Sequence, residues 1–459
     1  MAHWSEYLDS EYDRFLGEYF DFIRIPSVSA LPQHAADVRK AGEWVVDRLK
    51  SAGVEHVELM ETGGHPVVYG DWLHAGDDKP TIMIYGHFDV QPVDPIELWD
   101  TPPFEPTIRD GKVFARGASD DKGGMVTPIF ATEAHLRTTG KLPINIKYCF
   151  EGQEEIGSPQ LQPFFEKYKE KFACDLVLTS DGLLHDADTP IILLGLKGLT
   201  GLQINVTGPS SDLHSGLHGG MMQNPLEALT KIIASMRHAD GTIAVEGFFD
   251  DVVDPTPAIR KKTKEIEFDE AEYAESVGIS EFYGEPGYTT RERNWFRPTL
   301  DINGMGGGFQ GDGMKNVLPS TAFAKLTCRL VANQDPPTIL KLLKAHIEKH
   351  APPGVTVKVE PKEGLSFPQL MSADHPGNKI AAEVLTELFN KTPYEVYLGG
   401  SIPIVAFFKE SLNADTINFG WSCADENLHA PNEFFRLENF KRGMRGYCMI
   451  LEALVEYGA

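Results

Sequence analysis

Thr81-Ile82-Met83-Ile84-Tyr85-Gly86-His87-Phe88-Asp89-Val90 is the stretch on which the fold turns. The apolar run at 81–85 reads as a buried strand, and Gly86 opens the loop after it. In extended chain, residues i and i+2 face the same side. His87 and Asp89 can therefore act together, the imidazole on a metal and the carboxylate orienting it. Taken alone, the pair also describes a surface histidine near a turn aspartate. Open α/β sheets build their sites in loops beyond the carboxyl ends of strands. The test is therefore whether other loops carry comparable side chains.

Four more loops do. Arg116-Gly117-Ala118-Ser119-Asp120-Asp121-Lys122-Gly123-Gly124 leads a predicted helix over 123–138. Helix capping by Ser119 or Asp120 does not explain two adjacent carboxylates flanked by glycines. Glu151-Gly152-Gln153-Glu154-Glu155-Ile156-Gly157-Ser158 follows a predicted strand at 144–150. One glutamate there can ligate a cation while its neighbour works as general base, the alternative being a surface turn. Leu178-Thr179-Ser180-Asp181-Gly182 and Asn427-Leu428-His429-Ala430-Pro431-Asn432-Glu433 are each weak alone, a turn aspartate and a lone histidine. Together the five loops supply two histidines and several carboxylates, a donor set that suits two divalent ions such as Zn²⁺.

Outward from these loops the chain alternates strands and helices. Helices are predicted around 15–23, with Ser10 as cap, and over 38–49, ended by Gly53. Strands are predicted at 54–60, 66–69 and 176–178, and a hairpin joins 104–108 to 112–115 through Asp110-Gly111. This implies α/β layers around a largely parallel sheet. Near Lys197 the pattern becomes α+β: strands at 199–206, 322–331 and 355–359, with helices over 225–236 and 337–350. A polar stretch at 240–297 has weak periodicity, and the Gly-rich 304–313, which lacks the GK[ST] of a phosphate loop, reads as a flexible loop. Long helices at 380–389 and 439–457 follow, the last packing back on the first sheet.

The chain has 459 residues, 42 Lys and Arg against 67 Asp and Glu, and a formal charge of −25. That balance argues against a nucleic-acid or anionic-membrane partner. The odd count of five cysteines, none in a CxxC, argues against a disulfide framework. No signal peptide or membrane-spanning run is read, so a cytoplasmic protein is expected.

In motif order over nearly its whole length, the chain resembles the co-catalytic di-zinc peptidases and deacylases. These include carnosinase, cysteinylglycine dipeptidase, aminoacylase and succinyl-diaminopimelate desuccinylase, and the cytosolic dipeptidase branch is nearest. The resemblance implies an α/β, mixed-sheet catalytic domain at 1–197 and 364–459, with an inserted α+β lid/dimerisation domain at 198–363. It implies a homodimer and two divalent ions, zinc first, with manganese or cobalt as alternatives. By position, His87 and Asp181 would bind one ion, Glu155 and His429 the other, and Asp120 both, with a cis peptide bond after Asp120. Glu154 would be the general base of a two-metal activated water and Asp89 would orient His87. His214, in Ser211-Asp212-Leu213-His214-Ser215-Gly216, would enter the neighbouring subunit's site to stabilise an oxyanion. Asn316 and Arg329 on the returning lid segment, and Gly400 and Ser401 on the catalytic domain, would contact substrate, Arg329 through a free carboxylate.

Two positions depart from that branch. Leu398 stands where an acidic residue often precedes Gly-Gly-Ser, and Asn316 where some members carry Thr. The expected reaction is cleavage of dipeptides or similar small peptides. The alternatives are an N-acyl-amino-acid deacylase or related amidohydrolase and, from another class, an inactive binding or scaffold protein. A serine or cysteine hydrolase has no GxSxG elbow or nucleophile motif here.

Overall fold

In a computed structural model describing residues 3–362 and 364–458, the strand Thr81–His87 lies inside a six-stranded sheet. The strand order is Glu55–Met60, Val67–Trp72, Asn145–Glu151, Thr81–His87, Leu176–Thr179, Asp415–Asn418. The first two pairings are antiparallel and the other three parallel, so the sheet is mixed. Ile82, Met83, Ile84 and Tyr85 are fully buried, as an apolar run covered on both faces requires. The register sets His87 beside Glu151 and Tyr85 beside Thr179. The loops after these three strands therefore leave the sheet at one edge.

Helices cover this sheet. Gly124–Thr139 packs against the closing helix Leu437–Ala453 and is buried nearly all round. Phe130 on it meets Phe15 at a ring separation of 4.3 Å, and Tyr19 stacks on Phe440 at 5.0 Å. The closing helix thus packs within the helical layer and ends at Ala453 rather than 457. The early helix Tyr12–Ile23 has Glu11, not Ser10, at its N-cap; the Ser10 hydroxyl donates to the Tyr7 carbonyl instead. The expected hairpin forms between Thr107–Arg109 and Lys112–Phe114, with Asp110 and Gly111 both at positive φ, the geometry of a two-residue primed turn.

The chain divides into two units: Met1–Leu193 with Ser372–Glu395 and Pro403–Ala459, and Leu194–Met371 with Val396–Ile402. The second unit is an antiparallel sheet ordered Asp301–Gly307, Thr321–Leu330, Gly198–Thr207, Thr356–Pro361. Helices Pro225–Ser235 and Pro336–His350 close one face over Leu202, Ile204, Leu229, Leu326 and Leu343. Alternate residues of Thr321–Leu330 stay exposed or half-exposed.

Three further expectations change. The unit edges fall at Leu194 and Met371 rather than 198 and 363, because Gln369–Leu370 pairs with Leu196 and Gly195. Gly400 and Ser401 belong to the second unit: the Lys197 amide donates to the Gly400 carbonyl, and Arg329 to Ser401. The Gly-rich segment is strand as far as Gly307, since Gly306 leaves room for the Phe323 ring across the pair; a Cβ there would come within 2.7 Å of it. The polar 240–297 stretch carries three short helices, Pro257–Glu265, Glu270–Val277 and Thr290–Phe296. No helix among the described residues is long and apolar enough to cross a membrane.

Candidate metal centre

His87 ends its strand fully buried. A Cβ at Gly86 would lie 2.4 Å from Ser180 Oγ, so only glycine lets the Asp181 loop approach this closely. Asp120 follows Gly117, which turns the chain in the left-handed region, and its peptide bond to Asp121 is cis. Glu154 and Glu155 begin a short 3₁₀ turn after Asn145–Glu151. His429 sits in the left-handed region in the loop before Phe434–Arg436.

These loops of the first unit converge. His87, Asp120 and Asp181 offer donor atoms within 4.8 Å of one another, and so do Asp120, Glu155 and His429. Asp120 belongs to both sets, one oxygen to each: Oδ1 stands 3.0 Å from His87 Nε2 and Oδ2 2.9 Å from His429 Nε2. Asp181 Oδ2 is 3.9 Å from His87 Nε2, and Glu155 Oε2 is 3.2 Å from His429 Nε2. Asp89 faces His87 Nδ1 with two groups, its backbone carbonyl at 3.1 Å and its carboxylate Oδ1 at 3.5 Å. The carboxylate itself accepts the backbone amides of Glu154 and Glu155, both at 3.1 Å.

The electrostatics are those of carboxylates short of positive charge. Burial pushes the Glu154 carboxyl well up, opposed by His87 and reinforced by Asp181 and Glu155. Burial, then Asp120, raises Asp181 to about 6, and the same two causes raise Glu155. Burial would raise Asp120 too, but hydrogen bonds from His429 and His87 hold it well below the carboxylate range. His429 is pushed up to about 10 by its bonds to Asp120 and Glu155. The bonds to Asp120 and Glu155 favour the charged imidazole of His429 where a cation would serve the same carboxylates. Imidazole nitrogen and carboxylate oxygen in two sets sharing one carboxylate fit two divalent ions.

Two further residues, Gln91 outside the motifs and Asp121 within the second, support the site. Gln91 Nε2 donates to Glu155 Oε2 at 2.8 Å. Asp121 is buried and accepts from Ser180 Oγ at 3.0 Å. Gln91 lay two residues past His87-Phe88-Asp89 with no pattern to mark it.

The second unit holds the other expected residues. His214 pairs with Val317, and the Ser215 amide donates to the Asn316 carbonyl at 3.0 Å, so His214 and Asn316 are neighbours. Arg329 Nη1 donates to Ser401 Oγ at 2.9 Å, next to Gly400.

This fold and this donor set are those of a metallopeptidase. The chain belongs to peptidase family M20/M25/M40, whose sequence profile matches residues 83–453. It is 32% identical to the Cys-Gly metallodipeptidase dug1 of Schizosaccharomyces pombe, over 98% of this chain and 97% of that protein. It is 28% identical to the Beta-Ala-His dipeptidase of Homo sapiens, over 96% and 90%. Among solved structures, the M20 family metallo-carboxypeptidase Sso-CP2 from Sulfolobus solfataricus superposes with a TM-score of 0.83 at 32% identity, over 96% of this chain and 99% of that one.

Proposed function

We propose that the chain is a dipeptidase that takes two divalent ions, zinc first and manganese or cobalt as alternatives, and works as a homodimer. The observation that carries this is Asp120, shared by two donor sets through separate oxygens. In this reading His87 and Asp181 hold one ion, Glu155 and His429 the other, and Asp120 both. Bound divalent ions supply Lewis acidity, which lowers the pKa of water and polarises an amide carbonyl.

The chain's own groups do the rest. Glu154, buried with its carboxyl raised, takes a proton from the attacking water at a carboxylate oxygen and hands it to the leaving nitrogen. Asp89 holds the backbone that carries Glu154. Arg329 receives the substrate carboxylate with its planar fork, beside Ser401 and Gly400. Asn316 contacts substrate, and His214 from the second copy donates to the carbonyl oxygen as charge develops. A second copy suits the edge strand Asp301–Gly307, which exposes Ile302 and Met305 beside a half-exposed Phe323. Five free cysteines suit a reducing cytoplasm.

A second reading, cleavage of N-blocked substrates, is favoured by Leu398. It is apolar where an acidic residue often precedes Gly-Gly-Ser, and the Sulfolobus solfataricus relative is a metallo-carboxypeptidase. The metal-loaded protein should be assayed on free-amino dipeptides, their N-acyl analogues and carboxyl-amidated controls. Faster cleavage of free-amino dipeptides supports the dipeptidase; faster cleavage of N-acyl analogues moves the assignment to the second reading. Loss of all cleavage on amidation is expected from Arg329 in either case.

A further inference from the structure

Glu433 contributes no donor atom to the clusters of His87, Asp120 and Asp181 or of Asp120, Glu155 and His429, yet its carboxylate is fully buried against the backbone of Asp120. It accepts from four donors. Oε1 takes the backbone amides of Ser119 at 2.9 Å and Asp120 at 3.1 Å. Oε2 takes the amide of Gly117 at 3.0 Å and Nη1 of the buried Arg116 at 2.6 Å. A charged acceptor collecting so many N–H groups forms strong, directional bonds and is costly to leave incomplete.

The segment it grips needs outside support. Asp120 has φ −115° and ψ 98°, outside helical geometry, so no helix ladder holds its peptide planes. Its two oxygens must nevertheless face opposite ways, toward His87 and His429. Glu433 also lies on the same loop as His429, four residues on. That loop therefore presents one imidazole to Asp120 and clamps the backbone from which Asp120 projects. Packing alone would be satisfied by an apolar side chain; four converging donors on a buried carboxylate are not.

We infer that Glu433, anchored by Arg116, is a positioning residue that sets the orientation of the Asp120 carboxylate shared between the two donor sets. This rests on the two-ion reading above. Glu433→Gln keeps the volume but turns an amide N–H₂ toward backbone donors. The full chain, stripped by chelator, is titrated with Zn²⁺ alone by calorimetry, and the wild type comes first. Wild type is expected to take two ions. In Glu433→Gln at least one site should weaken by about 10- to 100-fold, the range for residues that orient ligands. kcat should fall by a similar factor while KM moves less than about threefold, with a single cooperative thermal transition retained. A Co²⁺-loaded sample should change its visible absorption, which a purely structural role would leave alone. Glu433→Asp, which keeps the charge, should restore part of the affinity, and it replaces Glu433→Gln if the latter does not fold. Wild type binding no Zn²⁺ would sink the two-ion reading itself. Wild type binding two ions and Glu433→Gln binding two with unchanged affinity and kcat would overturn the role of Glu433.

Discussion

Asp89 Oδ1 accepts the backbone N–H of Glu154 at 3.1 Å. The companion oxygen accepts Glu155 at the same distance, and the Asp89 carbonyl faces His87 Nδ1. One buried residue therefore ties the loop after Thr81–His87 to the loop after Asn145–Glu151. Asp89→Asn should disturb both, because one of its two terminal atoms becomes an N–H₂ that faces a backbone N–H and cannot accept from it. kcat is expected to drop about 10- to 100-fold. Retained activity with an unchanged pH profile would show that the loops hold each other without it.

Glu154→Gln should lower kcat by at least about 10²-fold, the usual worth of a positioned general base. Metal content, read by elemental analysis, should stay at the wild-type value, since Glu154 is in neither donor set. A variant near wild-type turnover would remove Glu154 from the reaction.

Chelation should abolish activity and leave the fold in place, and metal uptake should release protons. The sign follows from His429, whose imidazole is raised to about 10 by Asp120 and Glu155. Below that pH the metal-free protein holds this proton and must give it up to coordinate. Affinity should therefore fall as pH drops from 8 to 6, by up to about tenfold per unit for each proton displaced. Calorimetry in buffers of different ionisation enthalpy counts those protons; a count of zero would contradict the protonated imidazole.

Lys197, in the second unit, offers a test that involves no metal. It is buried, donates to the Arg297 carbonyl at 2.6 Å, and burial lowers its ammonium to about 7. An unfolded lysine keeps its ordinary value near 10.4. Between about 7 and 10 the unfolded chain therefore binds a proton that the folded chain does not, and stability gains with rising pH. The penalty is fully present below 7 and gone above the unfolded value. The urea midpoint of wild type relative to Lys197→Met should rise from pH 7 to pH 9.5. A flat difference would show that Lys197 stays charged when folded.

Much of this architecture is legible in the sequence, for local reasons. Apolar runs such as 81–85 are strands because both faces are covered, and the ligand candidates announce themselves as charge and glycine directly after such runs. What stays hidden depends on residues far apart in the chain. Asp89 reads as a partner for its neighbour His87, and its carboxylate also finds amides 65 and 66 positions away that no local pattern shows. Gly304, Gly306 and Gly307 look like loop because glycine disfavours strands, and only the partner strand explains their place in one, as where the Phe323 ring lies against Gly306. Gln91 and Glu433 carry no periodic or spacing signal; their partners lie 64 and more than 300 positions away.

The second unit is not a cassette. The chain enters it at Leu194, leaves after Met371, and returns for the seven residues Val396–Ile402 before leaving again. Grafting 194–371 alone onto a relative would leave Ser401 behind and take from Arg329 the hydroxyl it binds at 2.9 Å. Chimeras of such enzymes must therefore exchange both pieces together. Swaps that move only the long insertion should mix one parent's arginine with the other parent's Gly-Gly-Ser loop.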